Sequence, residues 1–138
     1  MLKLTRLPDW ERRLAAVVEH HLEAPGEWGV ADCLLTVADA VEAVTGVDPA
    51  AKIRGAYSSE LGAAKLMRRR KCDDVEAVLA KMFPPVGRLM AQRGDVGIVE
   101  RDGVLAAGFI TERGLAVKVE TGLAFYPQTE IRSAFKVG

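Results

Sequence analysis

The sequence predicts an α+β domain, with a helical part over about residues 8–83 and a small antiparallel sheet over about 94–137. Two observations carry that prediction. Apolar residues recur at helical spacing through the first part of the chain. From Gly94 onward they switch to short alternating runs separated by glycine-containing turns. The 138 residues have a one-domain length and are 49% hydrophobic and 28% charged, which is enough to bury a core without metals or disulfides. No internal repeat and no long linker divides the chain, so residues 1–138 read as one domain.

Pro8, Asp9 and Glu11 suit a helix start, and Trp10, Leu14, Val17, Val18 and Leu22 recur behind them at helical spacing. This first helix is expected to end near Pro25-Gly26. A second runs from about Asp32 to Thr45 and is apolar nearly all round, with Thr36, Asp39 and Glu42 as its only polar stripe. Such a helix belongs in the centre of a domain, and Gly46 stops it. Ser58 or Ser59 can cap a third through about Arg70, with Leu61, Ala64, Leu66 and Met67 facing inward. Asp73 and Asp74 can open a fourth, striped by Val75, Val78, Leu79 and Met82, which Pro84-Pro85 ends. Strands follow at Asp95–Glu100, Val104–Thr111, Leu115–Glu120, Leu123–Tyr126 and Ile131–Val137, in the pattern of a meander. Gly94, Gly97, Gly103, Gly108, Gly114 and Gly122 read as turn and bulge residues.

The 19 basic and 19 acidic residues cancel, which argues against a nucleic-acid binder, whose affinity rests on a cationic surplus. The one basic run, Arg68-Arg69-Arg70-Lys71, reads as a solvated helix end or as a contact patch for an acidic partner. The N-terminus lacks the apolar core of a secretory signal, and no run approaches the ~20 apolar residues of a membrane span, so a soluble protein is expected. Cys33 and Cys72 are the only cysteines. They allow one disulfide or two free thiols, the latter being simpler, and neither sits in a CxxC pair, so no metal site is implied. No phosphate-cradling motif occurs, and no cofactor is implied.

Cys33 has two readings. As a small buried hydrophobe it needs no function. As a functional thiol it has the first turn of a buried helix, where the dipole and free N–H groups favour a thiolate and can form part of an oxyanion hole. Trp28-Gly29 then supply an aromatic wall and a close backbone turn. Thiol catalysis also needs a base or a cation. The only histidines, His20 and His21, precede Cys33. They point ~100° apart on their helix, which excludes a metal pair. They read as surface or edge residues, His21 being the nearer to the apolar face. Cys72 reads as a partly exposed structural residue, and Asp95 as a partner for a neighbouring turn.

The stretch Trp28-Gly29-Val30-Ala31-Asp32-Cys33 resembles the nucleophile motif of the NlpC-type papain-like cell-wall peptidases. Gly46 fits the glycine that ends that family's central helix, and Gly94-Asp95-Val96-Gly97-Ile98-Val99 resembles its first strand. The resemblance implies a papain-like fold with a buried central helix packed on the sheet. It implies Cys33 as the nucleophile position and Trp28, Gly29 and Asp32 as its frame. It covers about Glu27–Gly46 and Gly94–Gly114; the helical middle, about Val47–Arg93, is longer than the family leads one to expect. Two departures stand out. Leu34-Leu35 replace the Ser-Gly that follows the family's cysteine. Ala106, give or take one residue, takes the place of its histidine base.

The whole layout resembles small proteins of bacteriophage and gene-transfer-agent tail clusters. That resemblance implies a non-catalytic structural or docking component of a tail tip or baseplate, with other tail proteins as partners. Its places are the particle tail and, during assembly, the bacterial cytoplasm. The alternative is an active cysteine hydrolase cleaving peptidoglycan peptides during cell-wall penetration. A third reading is an unrelated binding module with an incidental Cys33.

Overall fold

The computed structural model describes all 138 residues. Four helices come first: α1 (Trp10–His21), α2 (Cys33–Thr45), α3 (Glu60–Arg69) and α4 (Val75–Met82). Six strands follow: β1 (Pro85–Val86), β2 (Val96–Arg101), β3 (Val104–Thr111), β4 (Gly114–Val119), β5 (Gly122–Tyr126) and β6 (Ser133–Phe135). They form one antiparallel sheet in the order β1-β6-β2-β3-β4-β5.

The expected meander therefore holds only for β2 to β5. The last strand returns across the sheet to pair with β2, Val96 opposite Phe135. A short 3-10 turn at Gln128–Glu130 redirects the chain for that return. It leaves Ile131 buried between the sheet and the crossing segment. Strand β1, which sequence patterning does not flag, extends the far edge by two residues beside β6.

Helix α2 is the central element. Leu35, Val37, Ala38, Ala40, Val41 and Val44 are all buried, as its composition predicts. Val37, Val41 and Val44 share a core with Ile98, Ala107 and Phe109 of the sheet. Asp32 caps its start by accepting from the Leu35 N–H at 3.0 Å, and Gly46 ends it in the left-handed region. Thr36, expected on a polar stripe, is buried with its hydroxyl unpaired. The stripe reaches solvent only from Asp39 onward, because the sheet packs on the first turns.

Helix α1 starts at Trp10 rather than Pro8 and stops at His21 rather than near Pro25. Lys118 of β4 terminates it, donating to the carbonyls of His21 (3.2 Å) and Ala24 (2.5 Å). Ser59 and Asp74 cap α3 and α4 as their positions predict. On α3, Ala63 is the buried residue and Leu61 is 60% exposed, since a short helix on the domain's edge hides only one narrow face. Gly97 and Gly108, expected at turns or bulges, instead face each other across β2 and β3. They leave room above the sheet: a Cβ on Gly108 would meet the Leu115 side chain at 2.9 Å, and one on Gly97 the Ile131 side chain at 3.3 Å. The second face of the sheet is thus filled by Leu115, Val117 and Ile131.

Candidate functional site

The turn that delivers α2 is built from backbone pairing. Glu27 and Ala31 exchange N–H to carbonyl bonds of 3.0 and 2.8 Å, closing a small loop. Gly29 sits inside it at φ +82°, and a Cβ there would overlap the Tyr57 carbonyl oxygen. Its N–H reaches Asp32 Oδ2 at 3.0 Å, and its carbonyl accepts from Gly55 at 3.0 Å. Trp28, expected as a wall beside the thiol, is 43% exposed. The loop is held by hydrogen bonds rather than by its indole.

Asp32 is the hub. One carboxylate oxygen caps α2; the other accepts from Gly29 and from the Tyr57 hydroxyl at 2.5 Å. Burial first, and then this bond to Asp32, push the Tyr57 phenol well above its ordinary range. Tyr57 lies in the middle segment, just before the Ser58-Ser59 cap signal, and no motif marks it out in the sequence.

Cys33 opens α2 as a free, half-buried thiol. It packs against the core on both faces of the sheet. Burial raises its pKa most, and the Asp32 carboxylate adds to the rise. The Ala107 backbone, with the N–H groups of the helix start, opposes the rise without overcoming it. The expectation that the helix start lowers this pKa is therefore reversed. Ala107, one residue beyond the expected Ala106, is the strand residue whose backbone meets the sulfur. Ala106 is half-buried on the opposite face of β3, against Val99 in the sheet. The groups nearest the thiol, Asp32 and Tyr57, hold each other, and the phenol binds its proton too tightly to serve as a base.

The histidines sit elsewhere. His20 is exposed, whereas His21, expected at a surface or edge nearer the apolar face, is 3% exposed and bonds through Nε2 to Asp39 Oδ2 at 2.7 Å. The last turn of α1 packs against α2, and burying an imidazole there requires this carboxylate partner. Arg54 joins the network, donating to Asp39 Oδ1 (2.7 Å) and, through Nε, to Asp48 Oδ2 (2.8 Å). His21 is thus committed to Asp39, nearly two helical turns along α2 from Cys33.

Cys72 is buried rather than partly exposed, its sulfur turned toward the Arg70 carbonyl where the chain doubles back into α4. Asp95 meets its expected role and extends it. Its carboxylate accepts from Gln92 N–H at 2.8 Å, Val137 N–H at 3.0 Å and Arg6 at 3.0 Å.

No three His, Cys, Asp or Glu side chains converge as a metal-binding group, and no helix is long and apolar enough to cross a membrane. Neither the curated proteins nor the solved structures contain a match to this chain. A family model described as a domain of unknown function, DUF6950, matches residues 5–137, nearly the whole chain, which therefore belongs to that family.

Proposed function

We propose that this domain is a non-catalytic structural and docking component of a phage-like tail, at the tip or baseplate. On this reading it keeps a papain-like, NlpC-type arrangement as a scaffold. The observation that carries the non-catalytic part is the thiol's surroundings. Cys33 takes the nucleophile position that the resemblance implies, but its pKa is raised by burial and by Asp32. The one buried imidazole is spent on Asp39, and a thiol without a base or a cation turns over poorly. The resemblance of Trp28–Cys33 and Gly94–Val99 to the peptidase motifs supports the scaffold. The likeness of the layout to tail-cluster proteins supports the setting.

The competing reading is a cysteine hydrolase of peptidoglycan peptides. Its support is the position of Cys33 at a helix start beside the Ala107 backbone, where N–H groups favour an oxyanion. Muropeptide release from purified sacculi separates the two. Wild type and Cys33→Ala, both checked for folding, are expected to release equally little. Release by the wild type that disappears in Cys33→Ala would make this an enzyme. Immunodetection in purified tails tests the setting, and Cys33→Ala particles are expected to deliver DNA as wild type does. Absence of the chain from tails would remove the structural assignment.

A further inference from the structure

Away from Cys33, the helical middle of the chain encloses an apolar groove of about 560 Å³. Leu66 and Met67 of α3, Val78 and Met82 of α4, and Leu34 of α2 line its floor. Its size falls in the range of specific binding pockets, and two methionines make its walls adaptable. The mouth is open and partly apolar, with Val47 44% exposed and Leu2 39% exposed.

The rim is cationic. Lys52, Arg70 and Lys81 border the cavity. Lys81 is held by the Arg70 carbonyl at 2.6 Å, while the side chains of Lys52 and Arg70 make no hydrogen bond or ion pair. The basic run continues the field, for Arg68, Arg69 and Lys71 are exposed and unpaired as well. One neighbouring carboxylate, Asp73 beside Lys71, is exposed and unpaired and offsets part of it; the others are engaged elsewhere. Asp48 is bound by Arg54, Asp74 caps α4, and Glu76 is taken by Arg132 and Ser133. In a chain of zero net charge, this is a local cationic field around an apolar cavity.

We propose that this groove docks a short acidic segment of a partner protein, with its large apolar side chains in the cavity and its carboxylates on the surrounding cations. A single-headed amphiphile would use the cavity and leave most of the cations idle. A nucleic acid would use the cations and leave the cavity empty. An acidic segment with apolar anchors uses both. The inference rests on the docking reading for the existence of a partner protein, and it names the surface that partner meets.

The test is selection of a yeast-displayed random library of about twelve-residue peptides on the purified chain, followed by anisotropy with the best peptide, labelled. Enriched peptides are expected to combine several carboxylates with Leu, Phe or Trp, and to bind more weakly as salt rises. Lys52→Glu with Arg70→Glu should weaken binding about tenfold or more. Ala51→Trp, which fills the mouth from an exposed position, should weaken it comparably without changing thermal unfolding. No enrichment, enrichment of peptides without acids, or equal binding to both variants and wild type would overturn the proposal. So would tighter binding at this groove of dodecanoate below its micelle concentration, or of a single-stranded oligonucleotide. These outcomes concern the groove alone. Cys33-dependent muropeptide release concerns the docking reading alone, so failure of one is distinguishable from failure of the other.

Discussion

Asp32 accepts three hydrogen bonds from Gly29, Leu35 and Tyr57, which fix its carboxylate beside Cys33 at the start of α2. Burial disfavours a thiolate at Cys33 most, and the Asp32 carboxylate next to the sulfur adds to that effect. At neutral pH the thiolate fraction should therefore be below that of a free cysteine, and alkylation by iodoacetamide correspondingly slow. The rate should rise with pH only above the ordinary thiol range; stoichiometric labelling of Cys33 within minutes at pH 7 would contradict this. The same loop ranks its neighbours. Gly29 has a positive φ and no space for a Cβ against the Tyr57 carbonyl, so Gly29→Ala should cost about 3 kcal/mol or more. Trp28→Ala, at a half-exposed ring, should cost less than about 1.5 kcal/mol. Urea denaturation of both variants checks the order, and a Trp28→Ala loss as large as that of Gly29→Ala would overturn the ranking.

The helices are locked to one another by the chain His21–Asp39–Arg54–Asp48, which joins α1, α2 and the segment before α3. Burial alone would raise the Asp39 carboxyl, but the bond from His21 and the Arg54 guanidinium outweigh it and hold the carboxyl below its ordinary value of 3.8. A folded-state pKa lowered in this way contributes stability that is complete above the unfolded value. The contribution is lost as pH falls through the lower, folded value. Thermal unfolding of wild type should thus fall more steeply than that of Asp39→Asn as pH drops below about 4; parallel curves would show that Asp39 adds no net stability. None of this network was legible in the sequence. Periodicity placed the helices, and cap residues at Ser58-Ser59 and Asp73-Asp74 placed the starts of α3 and α4. Which polar residues of two helices meet depends on how the helices pack, and no local pattern carries that. His21 read as an edge residue and Thr36 as part of a polar stripe because each was judged on its own helix. Tyr57 was missed because its bond to Asp32 spans 25 residues, and no local pattern marks a contact of that kind. The place of Cys33 at the start of the central helix, in contrast, was legible, since it rests on a short, local stretch.

At the scale of the molecule, the sheet's order matters because β6 returns to β2 and brings the end of the chain beside its beginning. The N-terminal segment runs over the same region, with Leu2 N–H on the Met82 carbonyl and Leu7 N–H on the Val44 carbonyl. Arg6 and Asp95 tie these strands together. Arg6 donates to the Val137 carbonyl at 3.0 Å, to the Arg93 carbonyl at 2.7 Å and to Asp95 at 3.0 Å, with Trp10 lying 4.3 Å from its guanidinium. Asp95 in turn holds the Val137 and Gln92 amides. The Asp95 side chain is 4% exposed and that of Arg6 17%, so removing either leaves buried groups unpaired. Arg6→Ala and Asp95→Ala should each cost about 3 kcal/mol. Because both act on one clasp, the double variant should cost clearly less than their sum, with a coupling of about 1–2 kcal/mol. Hydrogen exchange gives the spatial half of the test. In Arg6→Ala, protection should fall at Leu7 and Val137 together, at opposite ends of the chain, while amides of α2 stay protected. Additive losses, or fraying at Leu7 alone, would mean that the termini are held separately by β6 pairing and by Val44, and that the ion pair is incidental to the closure of the domain.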